Sequence, residues 1–212
     1  MNNCLKEPIP EIYDAAKLLD AAVTAHLLEK YHLAEELILL ADMPIIREWT
    51  ESIWGIGGVY SQLKQKLGEP TTFDKDKRDV VRMPNKIGEK ALLERDGHNC
   101  RFCGIPVIRK EIREKLKEYY PKSLKWESKN INQHAAFQAM WVQYDHIIPH
   151  ARGGETTLEN MVITCGPCNY GRMNFLLDEV NVKLPEIHLT KNSSWDGLER
   201  LLRNSKSSLH IK

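Results

Sequence analysis

No stretch of this sequence approaches the ~20 consecutive apolar residues that a membrane-spanning helix needs. The greasiest run, Leu37 to Leu40, ends at Asp42. The opening, Met-Asn-Asn-Cys-Leu-Lys-Glu-Pro, lacks the basic start and apolar core of a secretory signal. A cytoplasmic location and no membrane partner are therefore expected. Charge of one sign is not in excess either: 30 Lys+Arg against 29 Asp+Glu leave +1, which by itself argues for no partner. There is no internal repeat and no low-complexity tract. The Gly55-x-Gly57-Gly58 cluster is not a phosphate loop, because no strand-forming run precedes it and no Gly-Lys-Ser/Thr follows. Cysteine is scarce, at five in 212 residues, yet four of the five fall in two Cys-x-x-Cys pairs and only Cys4 stands alone.

What is present is the composition of a globular chain, 42% hydrophobic and 28% charged. The length allows one good core, or one modest domain with a helical appendage. The near-neutral total hides a gradient. Residues 1–74 hold 6 Lys/Arg against 12 Asp/Glu, residues 75–130 hold 16 against 9, and residues 131–212 hold 8 against 8. A basic middle suits a polyanion-binding surface, although a solvated surface of mixed charge gives the same count.

The first part reads as helical. Ile12, Ala16, Leu19, Val23 and Leu27 recur at three- and four-residue steps and predict a helix over residues 11–31. A second is predicted over residues 33–41, with Leu37 and Leu40 on its apolar face. Pro44 suits the first turn of a third, with Ile45, Trp49 and Trp54 inward and Gly55 at its end. His26 and His32 read as packing or surface residues. Residues 68–84 are polar and turn-rich and are read as a linker. Asn85 is a suitable N-cap for a helix through Arg95 closed by Gly97. A Lys/Glu-rich helix follows over residues 109–120, stopped by Pro121. Trp141, Val142, Tyr144, Ile147 and Ile148 predict a strand over residues 138–148, and residues 160–164 a second one. A helix over residues 168–177 and an amphipathic one over residues 195–202, capped by Ser193 or Ser194, complete the reading.

Cys100-x-x-Cys103 and Cys165-x-x-Cys168 have the spacing that lets both thiolates of a knuckle reach one ion, and Gly104 and Gly166 ease the turns. Two such pairs point to a structural Zn²⁺ site; a thioredoxin-like redox pair would need βαβ surroundings that are missing. Four sulfur ligands leave no open coordination position, so any catalytic metal belongs elsewhere.

Between the pairs runs Tyr144-Asp145-His146-Ile147-Ile148-Pro149-His150-Ala151-Arg152-Gly153-Gly154, followed by Glu159-Asn160 and then Cys165-Gly166-Pro167-Cys168-Asn169. In order and in kind these residues resemble the HNH endonuclease family. The resemblance covers Cys100 to Cys103 and residues 144–172. It implies a ββα-metal fold in which His146 is the general base that takes a proton from water, and Asn160 holds the loop and orients that base. It further implies that Asp145 and Asn169 give oxygen ligands to one hard cation, Mg²⁺ or Mn²⁺. The family name implies His at the last position, and Asn169 stands there instead. Adjacent on a strand, Asp145 and His146 point to opposite faces and act together only where the strand end bends. His150 is either an extra ligand or phosphate contact, or an exposed loop histidine. Arg152 and Arg172 flank the site as candidate phosphate clamps, or as ordinary surface arginines. His98 and His134 read as bystanders.

The expected architecture is therefore α+β: a helical domain over residues 1–67, a linker over 68–84, a small zinc-stapled HNH domain over 85–180 with a basic insert at 105–137, and a helical tail over 181–212. In the insert, Lys110, Arg113, Lys115, Lys117, Lys122 and Lys125 lie beside Tyr119, Tyr120 and Trp126, a pattern that suits nucleic-acid contact or a solvated helix. The expected function is hydrolysis of DNA phosphodiester bonds, with RNA the second choice as partner. Restriction-like or anti-phage defence fits such a nuclease by analogy. The rival reading is a non-catalytic zinc-ribbon subunit that binds nucleic acid. The acidic N-terminal helices offer a surface for a protein partner or a second copy.

Overall fold

The structure, a computed structural model, describes residues 3–184, 186 and 194–207, with side chains to residue 203. It is helix-rich α+β, and among the described residues its β structure is one two-stranded sheet with two isolated bridges. Four helices come first: α1 (Pro10–Leu27), α2 (Tyr31–Ala41), α3 (Pro44–Trp54) and α4 (Val59–Leu67). Then follow α5 (Lys86–Asp96), α6 (Lys110–Tyr119) and the short α7 (Ala135–Ala139). Strands β1 (Val142–His146) and β2 (Met161–Cys165) lead into α8 (Gly166–Arg172), and α9 (Arg200–Ser207) closes the described chain. No helix among the described residues is long and apolar enough to cross a membrane.

Local chemistry sets these boundaries. Proline in the first turn starts α1 and α3, where its missing N–H costs no hydrogen bond. Asn85 Oδ1 accepts from Gly88 N at 2.9 Å and caps α5. The buried face of α2 is Ala34, Ile38 and Ala41, while Leu40, expected inward, is 62% exposed. In α3 the inward residue beside Trp49 is Ile46, fully buried, and Ile45 is 44% exposed. Both differences have one cause: with apolar residues on neighbouring positions, periodicity alone leaves the helix's rotation open until a partner packs against it.

The β1 strand is shorter than the sequence predicts. The Ala-rich run before it winds into α7, capped from outside when Asp42 Oδ1 accepts from Ala135 N at 2.7 Å. Helix α8 starts two residues earlier than expected, where Cys165 Sγ accepts from Cys168 N, and it stops at Arg172 because Met173 takes a left-handed φ of 49°. The last helix starts late. Gly197 and Leu198 have positive φ, and Asp196 Oδ1 accepts from Leu198 N at 2.8 Å. Ser194 is therefore not its cap, and Ser193 lies outside the described residues.

One apolar core runs through these elements, from Ile12, Leu19 and Ile38 through Ile46, Ile53 and Phe137 to Ile163 and Leu201. Polar bonds pin the N-terminal helices to the later segments: His26 to the Tyr120 hydroxyl at 2.7 Å, Arg47 to the Asn130 and Gln133 carbonyls, and the fully buried His134 to the Ile38 carbonyl at 2.9 Å. The antiparallel sheet pairs Val142 with Cys165 and His146 with Met161. All five residues of β2 are buried, because α5 and α8 both pack on it.

Asp96, at the end of α5 and with no exposure, organises this junction. Its carboxylate accepts from Arg95 at 2.7 and 2.8 Å, from Arg101 at 2.7 Å and from Ile163 N at 3.0 Å. Removing one partner of a buried charged network leaves the rest uncompensated, typically at about 3–5 kcal/mol. Asp96→Ala is accordingly expected to lower the unfolding free energy by about that amount in urea; a loss under about 1 kcal/mol would show that the network is dispensable.

Candidate functional site

Two clusters of chemistry-bearing side chains emerge from this fold. The first is the sulfur quartet. Cys100 and Cys103 sit on a tight turn in which Gly104 N bonds the Cys100 carbonyl at 2.9 Å and Gly104 takes φ 79°. Cys165 ends β2, and Cys168 lies in the first turn of α8. The four sulfur atoms lie within 4.8 Å of one another, and Cys103 Sγ is 3.7 Å from Cys165 Sγ. A tetrahedron of sulfurs at the Zn–S length of about 2.3 Å has edges near ~3.8 Å, so the quartet fits a structural zinc site. Its electrostatics agree. Burial opposes ionisation of Cys100, but contacts from Cys103, Cys165 and Cys168 hold it well below the usual thiol range. Burial pushes Cys165 well above that range; Cys168 is pushed up by its sulfur neighbours first and by burial second. The cluster therefore needs a positive ion before all four sulfurs can be thiolates.

The second cluster lines a cleft of about 530 Å³. Asp145, His146, His150 and Asn169 all border it, with Gln143, Tyr144 and Tyr170. The strand ends at His146, so the bend after it lets neighbours with nominally opposite directions share one cleft. Asn169 Nδ2 donates to Gln143 Oε1 at 3.3 Å, and its carbonyl oxygen has no hydrogen bond among the described residues. Asn160 is not in the lining. Its Oδ1 accepts from Ile148 N at 2.9 Å, and its Nδ2 donates to the Ile148 and Glu155 carbonyls at 3.2 and 2.8 Å. It thus clamps the loop between the strands. A Cβ on Gly154 would collide with the Ile148 carbonyl oxygen and sit 2.8 Å from Asn160 Nδ2, so the clamp requires glycine there.

His146 Nε2 lies 3.0 Å from Thr156 Oγ1, and that hydroxyl donates to the Val81 carbonyl at 2.5 Å. With its hydrogen committed, Thr156 can only accept from the ring. The hydrogen-bond network therefore assigns the proton to Nε2 and leaves Nδ1 as the basic nitrogen. Burial, and then the charges of His150, Arg172 and Arg82, push the His146 pKa down to about 4. Burial raises the Asp145 carboxyl, and Arg172, 2.6 Å from Oδ2, offsets this only in part.

Several expected contacts are placed differently. Arg172 is no surface clamp: it is fully buried, and besides Asp145 it bonds the carbonyls of His146, Ile147 and Phe175 at 2.5, 3.2 and 3.0 Å. Arg152 spends its guanidinium on Glu179 at 2.7 Å. His150 is half-buried, with Nε2 at 2.8 Å from the Asp79 carbonyl, and its ring centroid lies 5.7 Å from that of His146. In the insert, the Arg113 guanidinium stacks 3.7 Å over Trp126, Tyr120 is buried, and no insert residue lines the cleft. Sequence reasoning missed Thr156, for which no motif signal exists. It also missed residues 73–83, five of which (Lys75, Arg78, Asp79, Arg82 and Met83) border the cleft. The switch to basic charge at Lys75 was the available sign.

Among known proteins, residues 133–174 match the family model described as HNH endonuclease. The match spans α7, both strands, the loop between them and α8, and it identifies this segment as an HNH domain that supports a nuclease-type function. No curated protein and no solved structure matches the chain.

The quartet generates a direct expectation. Elemental analysis of protein purified without added metal should find one thiophilic ion per chain. Stripping it should lower the melting temperature by ~10 °C or more, since a structural site contributes several kcal/mol and about 1 kcal/mol moves Tm by 2–4 °C at this size. A metal-free preparation with unchanged melting would refute the site.

Proposed function

We propose that this chain is a metal-dependent HNH endonuclease that hydrolyses DNA phosphodiester bonds in the cleft bordered by Asp145, His146 and Asn169. The observation that carries the reading is geometric: His146, with Nε2 held 3.0 Å from Thr156 Oγ1, shares one cleft with the Asp145 carboxylate and the Asn169 carbonyl. A pure binding module has no use for that arrangement.

In this reading His146 Nδ1 takes a proton from water as the water oxygen bonds to phosphorus. The bond from phosphorus to the leaving 3′-oxygen breaks in the same displacement, and that oxygen departs with the electron pair. Asp145 and Asn169 are the oxygen donors for one divalent cation, with Mg²⁺ or Mn²⁺ suited to such ligands. That cation would supply Lewis-acid charge to the scissile phosphate and the leaving oxygen. Among the described residues only the cysteine quartet gathers three or more His, Cys, Asp or Glu ligands, so the cleft suits an ion that keeps waters and substrate oxygens. Asn160 positions the loop without touching the reaction, and the quartet, filled by Zn²⁺, holds the frame.

One observation favours the rival, a non-catalytic zinc-ribbon subunit: the Arg172 guanidinium at 2.6 Å already neutralises the Asp145 carboxylate. The same assay separates the two. Incubated with supercoiled plasmid and Mg²⁺ or Mn²⁺, the wild type is expected to nick and linearise it. Both His146→Ala and Asp145→Ala should cut at least ~10²-fold more slowly, the usual scale for losing a general base. Plasmid binding without cleavage under either cation would favour the binding subunit.

A further inference from the structure

We propose that residues 73–83 form the phosphate-binding rim of the cleft, with Lys75, Arg78 and Arg82 contacting the backbone of the nucleic-acid strand held there. The inference rests on the nucleic-acid reading of the cleft, and it names the residues that hold the ligand rather than those that react.

The segment is fastened to the loop that carries the site. Phe73 N donates to the Ala151 carbonyl at 2.7 Å, and the Phe73 ring packs where a Cβ on Gly153 would stand 2.6 Å from it. The Asp79 carbonyl meets His150 Nε2 at 2.8 Å, and the Val81 carbonyl takes the Thr156 hydroxyl at 2.5 Å. The backbone that presents the three cations is therefore the same backbone that fixes His146 through Thr156.

The charges are also available. Among the described residues neither Lys75 nor Arg82 has an ion-pair or hydrogen-bond partner on its side chain, and both are exposed. Arg78 is aligned by the Phe73 carbonyl, which accepts from its Nε at 2.8 Å and its Nη2 at 2.6 Å. Of the two carboxylates bordering the cleft, Asp79 accepts from the backbone N–H groups of Val81 and Thr156 at 3.1 and 3.2 Å, and Asp145 is matched by Arg172. Three cations thus face a cleft whose anions are already engaged, next to the basic nitrogen of His146. Guanidinium and ammonium groups so placed suit the phosphodiester repeat of a nucleic acid.

The test measures binding of a short labelled DNA duplex to the full-length His146→Ala chain, without added divalent cation, at a series of salt concentrations. Lys75→Ala with Arg82→Ala should weaken binding about tenfold at moderate salt and reduce the slope of log K against log salt by about 0.9 per lost contact. The charge-retaining pair Lys75→Arg with Arg82→Lys should restore both. Lys30→Ala with Lys66→Ala, which removes equal charge from exposed positions before α2 and in α4, should leave both unchanged. An unaltered slope in the first pair, an equal loss in the last pair, or no salt-sensitive binding by the parent overturns the proposal. Cleavage by the wild type is scored separately. Rim-dependent binding without cleavage removes the nuclease and keeps the rim; cleavage with binding indifferent to Lys75 and Arg82 does the reverse.

Discussion

Four sulfur atoms drawn within 4.8 Å of one another bring the turn after α5 to the junction of β2 and α8, and Asp145, His146 and Asn169 are placed around that meeting point. Cys165 ends β2, so the quartet fixes where the strand stops; the register then sets Asp145 opposite Val162 and His146 opposite Met161. Cys168 begins α8, and the next residue is Asn169, whose direction is thereby set by a sulfur one position away. A two-stranded sheet of five-residue strands is marginal by itself. Here it lies between the quartet, a candidate metal staple, and the buried Asp96 network, which bonds Ile163 N on β2.

A second constraint acts inside the first. The loop between the strands must return tightly enough for Asn160 to bond both polar groups of Ile148, which needs glycine at position 154. Arg172 performs the matching task from α8, bonding three backbone carbonyls and the Asp145 carboxylate from a fully buried position. A buried arginine is costly to desolvate, and here four oxygen partners on its two terminal nitrogens offset that cost while Nε stays unpartnered among the described residues. It fixes the site's shape and at the same time neutralises the carboxylate that faces the cleft. In the proposed reading, a cation at Asp145 would share the carboxylate with Arg172, which suits an ion recruited together with substrate phosphates.

The residues of the candidate site were the most legible part of the chain. The Cys pairs, Asp145-His146 and Asn169 are recognisable from spacing, because metal and catalytic geometry tolerate few residue types. The first three helices were legible from period, and the ends of α3 and α5 from Pro44, Asn85 and Gly97; α4 was not, because its nine residues bury only Leu63 and so carry little apolar period. Rotation was not: Ile45 against Ile46 and Leu40 against Ile38 are decided by tertiary packing. Arg172 looked like a surface cation because nothing local signals that four carbonyl and carboxylate oxygens converge on it. Thr156 was illegible, and residues 73–83 showed only their basic charge, for a similar reason. Their role depends on hydrogen bonds between segments more than seventy residues apart, and neither segment carries a motif.

In the proposed mechanism one chain holds two metal positions of different chemistry, a sulfur-bound ion that frames the fold and an oxygen-bound ion that serves the cleft. Anomalous diffraction from crystals grown with Mn²⁺ and a short DNA duplex, recorded at the zinc and manganese edges, tests it most directly. A zinc peak is expected among Cys100, Cys103, Cys165 and Cys168, and a separate manganese peak between Asp145 and Asn169. Manganese absent from the cleft while DNA occupies it, or no metal among the four sulfurs, would contradict it.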